Sequence, residues 1–344
     1  MRSLLALASA SLLVVGLGST PFAAGQSPEG SSAQGRMLKP NALIHVVANV
    51  QRSMLFYRDV IGLELLSAPS SLKGFTGATL LHQARGTAPS AQAGMAAFAI
   101  PGSEMQLVLL EFSGIAKEPM TQELYDPGIT RFSIQVRDID VAFNRVKNRG
   151  IVVNSTGGGP VFTQKPRNNT RAVMMHDPDG FVFEFVQADP LPETAVPKTS
   201  NVYNARSSLA IEDTEKSLAF YRDLLGYEAR PSNTVNEAVL ALEGTPTAAA
   251  RTTSTSPPGS TNVWFLWEFS GIARTKHEPH VQDPGASALS LLVENISGLL
   301  MRVKEAGVKV ETPSAGAVSL AGPARGVLVR SPDGLLVELI ERTQ

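Results

Sequence analysis

Between residues 53 and 64 apolar side chains recur at helical spacing (Met54, Phe56, Tyr57, Val60, Ile61) and the run stops at Gly62. The same pattern returns at 217–228 with Leu218, Phe220, Tyr221, Leu224 and Leu225 before Gly226. Each stretch predicts an amphipathic helix closed by a glycine. The two segments, SMLFYRDVIGLE and SLAFYRDLLGYE, are similar enough to mark an internal duplication. A β-like run precedes each helix, and a second strand follows the first at 63–67.

The rest of the chain repeats in the same order. Residues 105–112 (MQLVLLEF) and 263–269 (VWFLWEF) predict matching strands, and the connections after them, 115–128 and 272–285, both finish in Asp-Pro-Gly. Each Asp-Pro-Gly leads into a strand (130–136, 288–293) and a helix (139–149, 296–306) that stops at Gly150 or Gly307. A hairpin closes each half, around Asp177-Pro178-Asp179-Gly180 and around Ser331-Pro332-Asp333-Gly334. Residues 72–93, rich in Gly, Ala, Ser and Pro, predict a weak strand near 78–82 plus loop. The low-complexity run 244–261 predicts a surface loop. The pattern is therefore α+β: four βαβββ modules, two per domain, with a first domain at 37–188, a Pro-containing linker at 189–203 and a second domain at 204–344. One such module has an apolar sheet face that needs a partner, so modules are expected in pairs.

Composition narrows the functions. Lys+Arg is 30 against Asp+Glu 31, with no basic run, which argues against a nucleic-acid partner. At the N-terminus Arg2 precedes an apolar run from 4 to 17 and small residues at Ala23-Ala24-Gly25, the order of a secretory signal; 1–25 is expected to be removed and the protein to be periplasmic or secreted. The run is too short to span a bilayer comfortably, so no membrane span is expected after signal removal. The chain has no cysteine, which excludes thiol chemistry and disulfides.

The order FYRD-x-x-G after the first strand and DPDG-x-x-x-E at the last resembles the vicinal oxygen chelate (VOC) superfamily of glyoxalase I, bleomycin-resistance proteins and extradiol dioxygenases. The resemblance implies two tandem VOC domains, each curling paired sheets around a cavity. It also implies four cavity-facing positions that supply His, Gln or Glu to a metal in metal-binding members. Counting seven residues back from the helix-starting Asn49, Asp138, Asp213 and Asn295, and along each last strand, puts Ala42, Arg131, Val108 and Glu184 there in the first domain. In the second it puts Arg206, Ala288, Phe265 and Glu338. An arginine has no lone pair to give, so no metal is expected, and each domain keeps instead one Arg and one Glu, Arg131 with Glu184 and Arg206 with Glu338.

Alternation along the strands adds Ser133 and Gln135 to the face of Arg131, and Gln106 by the count from Val108. In the second domain the same face carries Phe265 and Trp267. His45 falls on the helix-facing side, and His277 and His280 read as loop residues. The leading reading is a small-molecule ligand site in the first domain, with Arg131 holding an anionic or enolate oxygen and Glu184 acting as base. Gln106, Ser133, Gln135, Arg206, Trp267 and Glu338 are the candidate substrate contacts. A divalent-metal-dependent lyase, isomerase or dioxygenase, and a non-catalytic structural or partner-binding protein, are the alternatives.

Overall fold

Four side chains fix where four helices begin. Asn49, Asp138, Asp213 and Asn295 each accept a hydrogen bond from the backbone N–H three residues on, at Arg52, Val141, Lys216 and Gly298. Each bond satisfies one of the donors that a first helical turn leaves without a partner. Gly62, Gly150, Gly226 and Gly307, the predicted stops, all lie at positive φ, although the helix expected at 139–149 ends earlier, at Val146, with turn residues up to Gly150.

The computed structural model describes residues 35–71, 92–120, 122–165, 168–258, 260, 263–313, 315–320 and 323–342. The expected signal at 1–25 and the weak strand near 78–82 lie outside the described residues. The first module runs β1 (Arg36–Val46), α1 (Val50–Leu55, continued by a π-helical turn at Phe56–Ile61), β2 (Glu64–Ser71), β3 (Gln92–Ala99) and β4 (Gln106–Ser113). The second is β5 (Thr130–Val136), α2 (Ile139–Val146), β6 (Val161–Phe162), β7 (Arg171–His176) and β8 (Val182–Gln187). The third is β9 (Val202–Ile211), α3 (Thr214–Leu218, continued at Ala219–Leu224), β10 (Glu228–Ala229), β11 (Asn233–Thr234), α4 (Glu237–Leu242), β12 (Ala249–Ser256) and β13 (Trp264–Ser270). The fourth is β14 (Ser287–Glu294), α5 (Ile296–Glu305), β15 (Lys309–Val310), β16 (Val318–Ser319), β17 (Ala324–Arg330) and β18 (Leu336–Arg342). The expected surface loop at 244–261 is corrected: its middle, Ala249–Ser256, is β12, whose threonines and serines pair with β13.

Within every module the first strand pairs in parallel with the last (β1 with β4, β5 with β8, β9 with β13, β14 with β18), which leaves the other edge of the first strand open. Those open edges join antiparallel, β1 to β14 and β5 to β9. The result is two nine-stranded sheets, in the orders β15-β17-β18-β14-β1-β4-β3-β2 and β10-β12-β13-β9-β5-β8-β7-β6, with β16 and β11 attached at the sides. The expectation that each half of the chain curls around its own cavity is therefore corrected. The first and fourth modules share one sheet, and the second and third share the other.

The physical reason lies on the helix side. His45, on that side as expected, stacks on Phe181 with ring centroids 3.8 Å apart, and Phe56 meets Phe183 edge-on at 5.8 Å. The Tyr57 hydroxyl donates to Asp177 at 2.7 Å, and Asp179 accepts from the Ala48 N–H at 2.9 Å and from Ser53. In the second half Asp333 accepts from the Glu212 N–H and the Ser217 hydroxyl. The two modules of a half thus meet through their helices, around one large apolar core. With that side used, the concave faces can be completed only across the halves. The loops 115–128 and 272–285 lock the crossing: Asp126 accepts from the Thr275 N–H and faces His277 at 3.1 Å, while Asp283 accepts from the Glu118 N–H and faces His280 at 3.1 Å. No helix among the described residues is long and apolar enough to cross a membrane.

Candidate functional site

The two concave faces have opposite characters. On the first sheet Ala42, Val108 and Ala288 belong to a closed apolar cluster with Ile44, Leu110, Phe112, Leu328 and Ile340. Glu338 is fully buried on β18, opposite Ser290. Gln106 stands at the start of β4 between Ala42 and Ala99. Neither residue reaches Arg131, so the expected grouping of Gln106 with Arg131, and the expected pairing of Arg206 with Glu338, are corrected by the exchange of modules.

The second sheet gathers the other candidates. Register puts Ser133 between Glu184 on β8 and Arg206 on β9, and Ser208 between Arg131 on β5 and Phe265 on β13. All six line one cavity with Gln135 and Trp267, enclosing about 860 Å³ of empty space counted with its open mouth. Both arginines thus belong to one site, contributed by different halves of the chain. Thr163, Gln164, Asn236 and Thr252 add polar groups, and Val239 and Leu242 add apolar ones.

Arg131 is 2% exposed and its partner is Glu243, not Glu184: Nη1 donates to both carboxylate oxygens at 2.7 and 2.8 Å. The guanidinium lies over the Trp267 ring at 4.5 Å and the Phe269 ring at 5.2 Å, where the ring faces favour a cation. Its Nε and Nη2 are buried with no hydrogen-bond partner among the described residues. Arg206 makes no ion pair or hydrogen bond among the described residues; burial pulls its pKa below the usual guanidinium range, against the Tyr203 hydroxyl group, which raises it. Gln135 is buried and accepts weakly from the Tyr203 hydroxyl at 3.4 Å.

Two carboxylates share this space. Burial pushes Glu243 up to about 7; Arg131 works against the shift and Glu184 adds to it. Burial also raises Glu184, opposed by a hydrogen bond from Ser133 and by the charge of Arg131. The cavity can therefore hold a proton at neutral pH and present a carboxylate able to accept one.

Glu243 is the residue that sequence reasoning missed. It follows α4, whose Leu240 and Leu242 are buried, and the periodic Val235, Val239, Leu240, Leu242 was the available signal. That periodicity marks a docked helix, but nothing in it says that the carboxylate after Leu242 turns inward.

The four positions that would hold a metal in this cavity are Arg131, Glu184, Arg206 and Phe265. Two guanidiniums and a phenyl ring offer no lone pair, so the donor set does not fit zinc, iron or manganese. Among the described residues no three His, Asp or Glu side chains converge as metal ligands.

Residues 40–185 and 205–339 match the family model described as Glyoxalase/Bleomycin resistance protein/Dioxygenase superfamily. Among solved structures the chain is similar to glyoxalase I from Zea mays, with TM-score 0.58 and 19% identity over 89% of this chain and 92% of that one. It is also similar to a putative dioxygenase from Bacillus subtilis subsp. subtilis str. 168, with TM-score 0.51 and 14% identity over 90% of this chain and 86% of that one. At those identities the likeness is one of fold. No curated protein matches the chain.

Proposed function

The chain belongs to the Glyoxalase/Bleomycin resistance protein/Dioxygenase superfamily, and from that premise we propose that its open cavity binds a small organic anion without a metal. The observation that carries this reading is Arg206, a guanidinium lining the cavity with no carboxylate to neutralise it among the described residues. A largely enclosed cation without a partner is a standing attraction for an anion, and Ser133 and Ser208 beside it supply hydroxyls. Arg131 adds its unpartnered Nε and Nη2 as donors for a second oxygen. Phe265 and Trp267 give the body of the ligand an apolar wall.

The same arrangement supports acid/base chemistry of the lyase or isomerase kind. Glu184, with its raised pKa, would take a proton from a carbon next to a carbonyl, and the free edge of Arg131 would stabilise the oxygen on which charge develops. That step is proposed without a divalent metal, because three of the four residues at its positions, Arg131, Arg206 and Phe265, offer no lone pair. Export through the N-terminal signal is part of the proposal and would put the ligand outside the cytoplasm.

The test is ligand-induced thermal shift and calorimetry with a panel of small carboxylates, oxo-acids and catechols on wild type and Arg206→Met. An acid that raises the wild-type melting temperature should fail to raise that of the variant. Equal shifts in both proteins, or no shift by any acid in wild type, would overturn the proposal.

A further inference from the structure

We propose that Glu243 sets the charge class of the ligand, admitting small acids with one anionic group and one uncharged oxygen and rejecting dianions. The inference rests on reading this cavity as an organic-anion site. Two arginines from adjacent strands line it, Arg131 opposite Ser208 and Arg206 opposite Ser133. Alone, such a pair would favour a ligand with two negative groups. Glu243 changes the count, because both of its oxygens sit on Nη1 of Arg131 and the two side chains are 2% and 1% exposed. At that burial neutralisation is barely screened. Glu184, facing Ser133 from the next strand, repels any further anion. With Arg131 neutralised by Glu243, Arg206 is the cavity cation left without a carboxylate partner among the described residues.

Arg131 keeps a different role. Its Nε and Nη2 are still donors without acceptors, and a neutral pair is best completed by a neutral oxygen such as a carbonyl or hydroxyl. The two anchors together describe an oxo or hydroxy acid with a single charge.

Glu243 is held there by the backbone of both modules. The Ser155 hydroxyl donates to the Leu242 carbonyl at 3.0 Å, and the Thr156 N–H donates to the Ala241 carbonyl at 3.0 Å. Gly244 lies so close to Asn154 that a Cβ would stand 2.5 Å from its carbonyl oxygen, at a φ of +70° that already favours glycine. A carboxylate fixed by this many backbone contacts is not free to swing aside for a competing anion.

The experiment compares methanesulfonate with methanedisulfonate, whose charges do not change in the working range, by calorimetry at fixed ionic strength. Wild type should bind the monoanion about tenfold or more tightly than the dianion, and Glu243→Gln should reverse the order by about the same factor. The double variant Arg131→Gln/Glu243→Gln, with both charges gone, should return to favouring the monoanion. Should Glu243→Gln fail to fold, wild type decides: between about pH 8 and about pH 5.5 protonation of Glu243, faced by Arg131 and Glu184, should narrow or reverse the preference for the monoanion. An unchanged ratio in Glu243→Gln, or across that pH range in wild type, overturns the inference while leaving the organic-anion reading intact. Tighter dianion binding by wild type at about pH 8 also overturns it. Failure of wild type to bind either sulfonate overturns both readings.

Discussion

Replacing Glu243 with glutamine should change how stability depends on pH. In the folded protein burial raises this carboxyl from its ordinary 4.5 to about 7, with Arg131 and Glu184 pulling in opposite directions. The raised value means that the native state holds the proton more tightly than the unfolded chain does. The associated stability is fully present below about pH 4.5 and is lost as pH rises through about 7. At about 1.4 kcal/mol per pH unit the whole displacement corresponds to about 3 kcal/mol, and a residue 2% exposed needs no discount for solvent screening. Asp177 and Asp333, pushed up to about 7 and about 6 by burial, give wild type further losses of the same sign. Those losses are common to both proteins and cancel in the comparison. For a chain of this size 3 kcal/mol is about 5 °C in melting temperature. Relative to Glu243→Gln, wild type should therefore lose about 5 °C between about pH 4.5 and about pH 8, read by calorimetry or circular dichroism. Parallel curves would refute the reasoning, since a glutamate that titrates at its ordinary value in the folded protein cannot produce the divergence.

Arg131→Met strands two buried carboxylates and should cost about 3–5 kcal/mol in denaturant midpoint experiments, whereas Arg206→Met, which breaks no ion pair, should stay within about 1 kcal/mol of wild type. Equal destabilisation would show that Arg206 has a structural partner. Protein purified with added zinc, manganese and nickel should carry no stoichiometric metal by mass spectrometry; one tight ion per chain, lost on Glu184→Ala, would contradict the donor argument. The exported protein should begin near residue 25, and intact Met1 on the folded exported form would contradict that.

Much of the module is legible in the sequence because its determinants are local. The caps at Asn49, Asp138, Asp213 and Asn295 act over three residues, and period-2 alternation placed Arg131, Ser133 and Gln135 on one face of β5. Partner choice is another kind of information. All four modules leave the same edge of the first strand open, and that shared edge does not name its partner. The decision is made by contacts between segments far apart in sequence, such as Asp126 with Thr275 and Asp179 with Ser53, which no periodicity reports. Counting therefore reached several residues that line one cavity but grouped them by halves of the chain, with Arg206 assigned to a second cavity.

That exchange explains why the two sheets could diverge. If each half enclosed its own site, the polar residues of one half would be confined to one cavity. Pairing the second module with the third instead unites the arginine of one half with the arginine of the other, and brings α4 of the third module over the second. The two remaining modules are left with Ala42, Val108 and Ala288 at the corresponding positions, and their face closes as core. A packed apolar face is rigid and dry, and it holds β4 and β14, which the loops 115–128 and 272–285 join to the other sheet. Division of labour between a filled face and an open one thus follows from the joining of β1 to β14 and of β5 to β9. A substitution that enlarges the first face, such as Phe112→Ala, should cost about 3–5 kcal/mol of stability and leave anion affinity at the second face unchanged in calorimetry. A matching loss of affinity would mean that the two faces are coupled and that the division is not real.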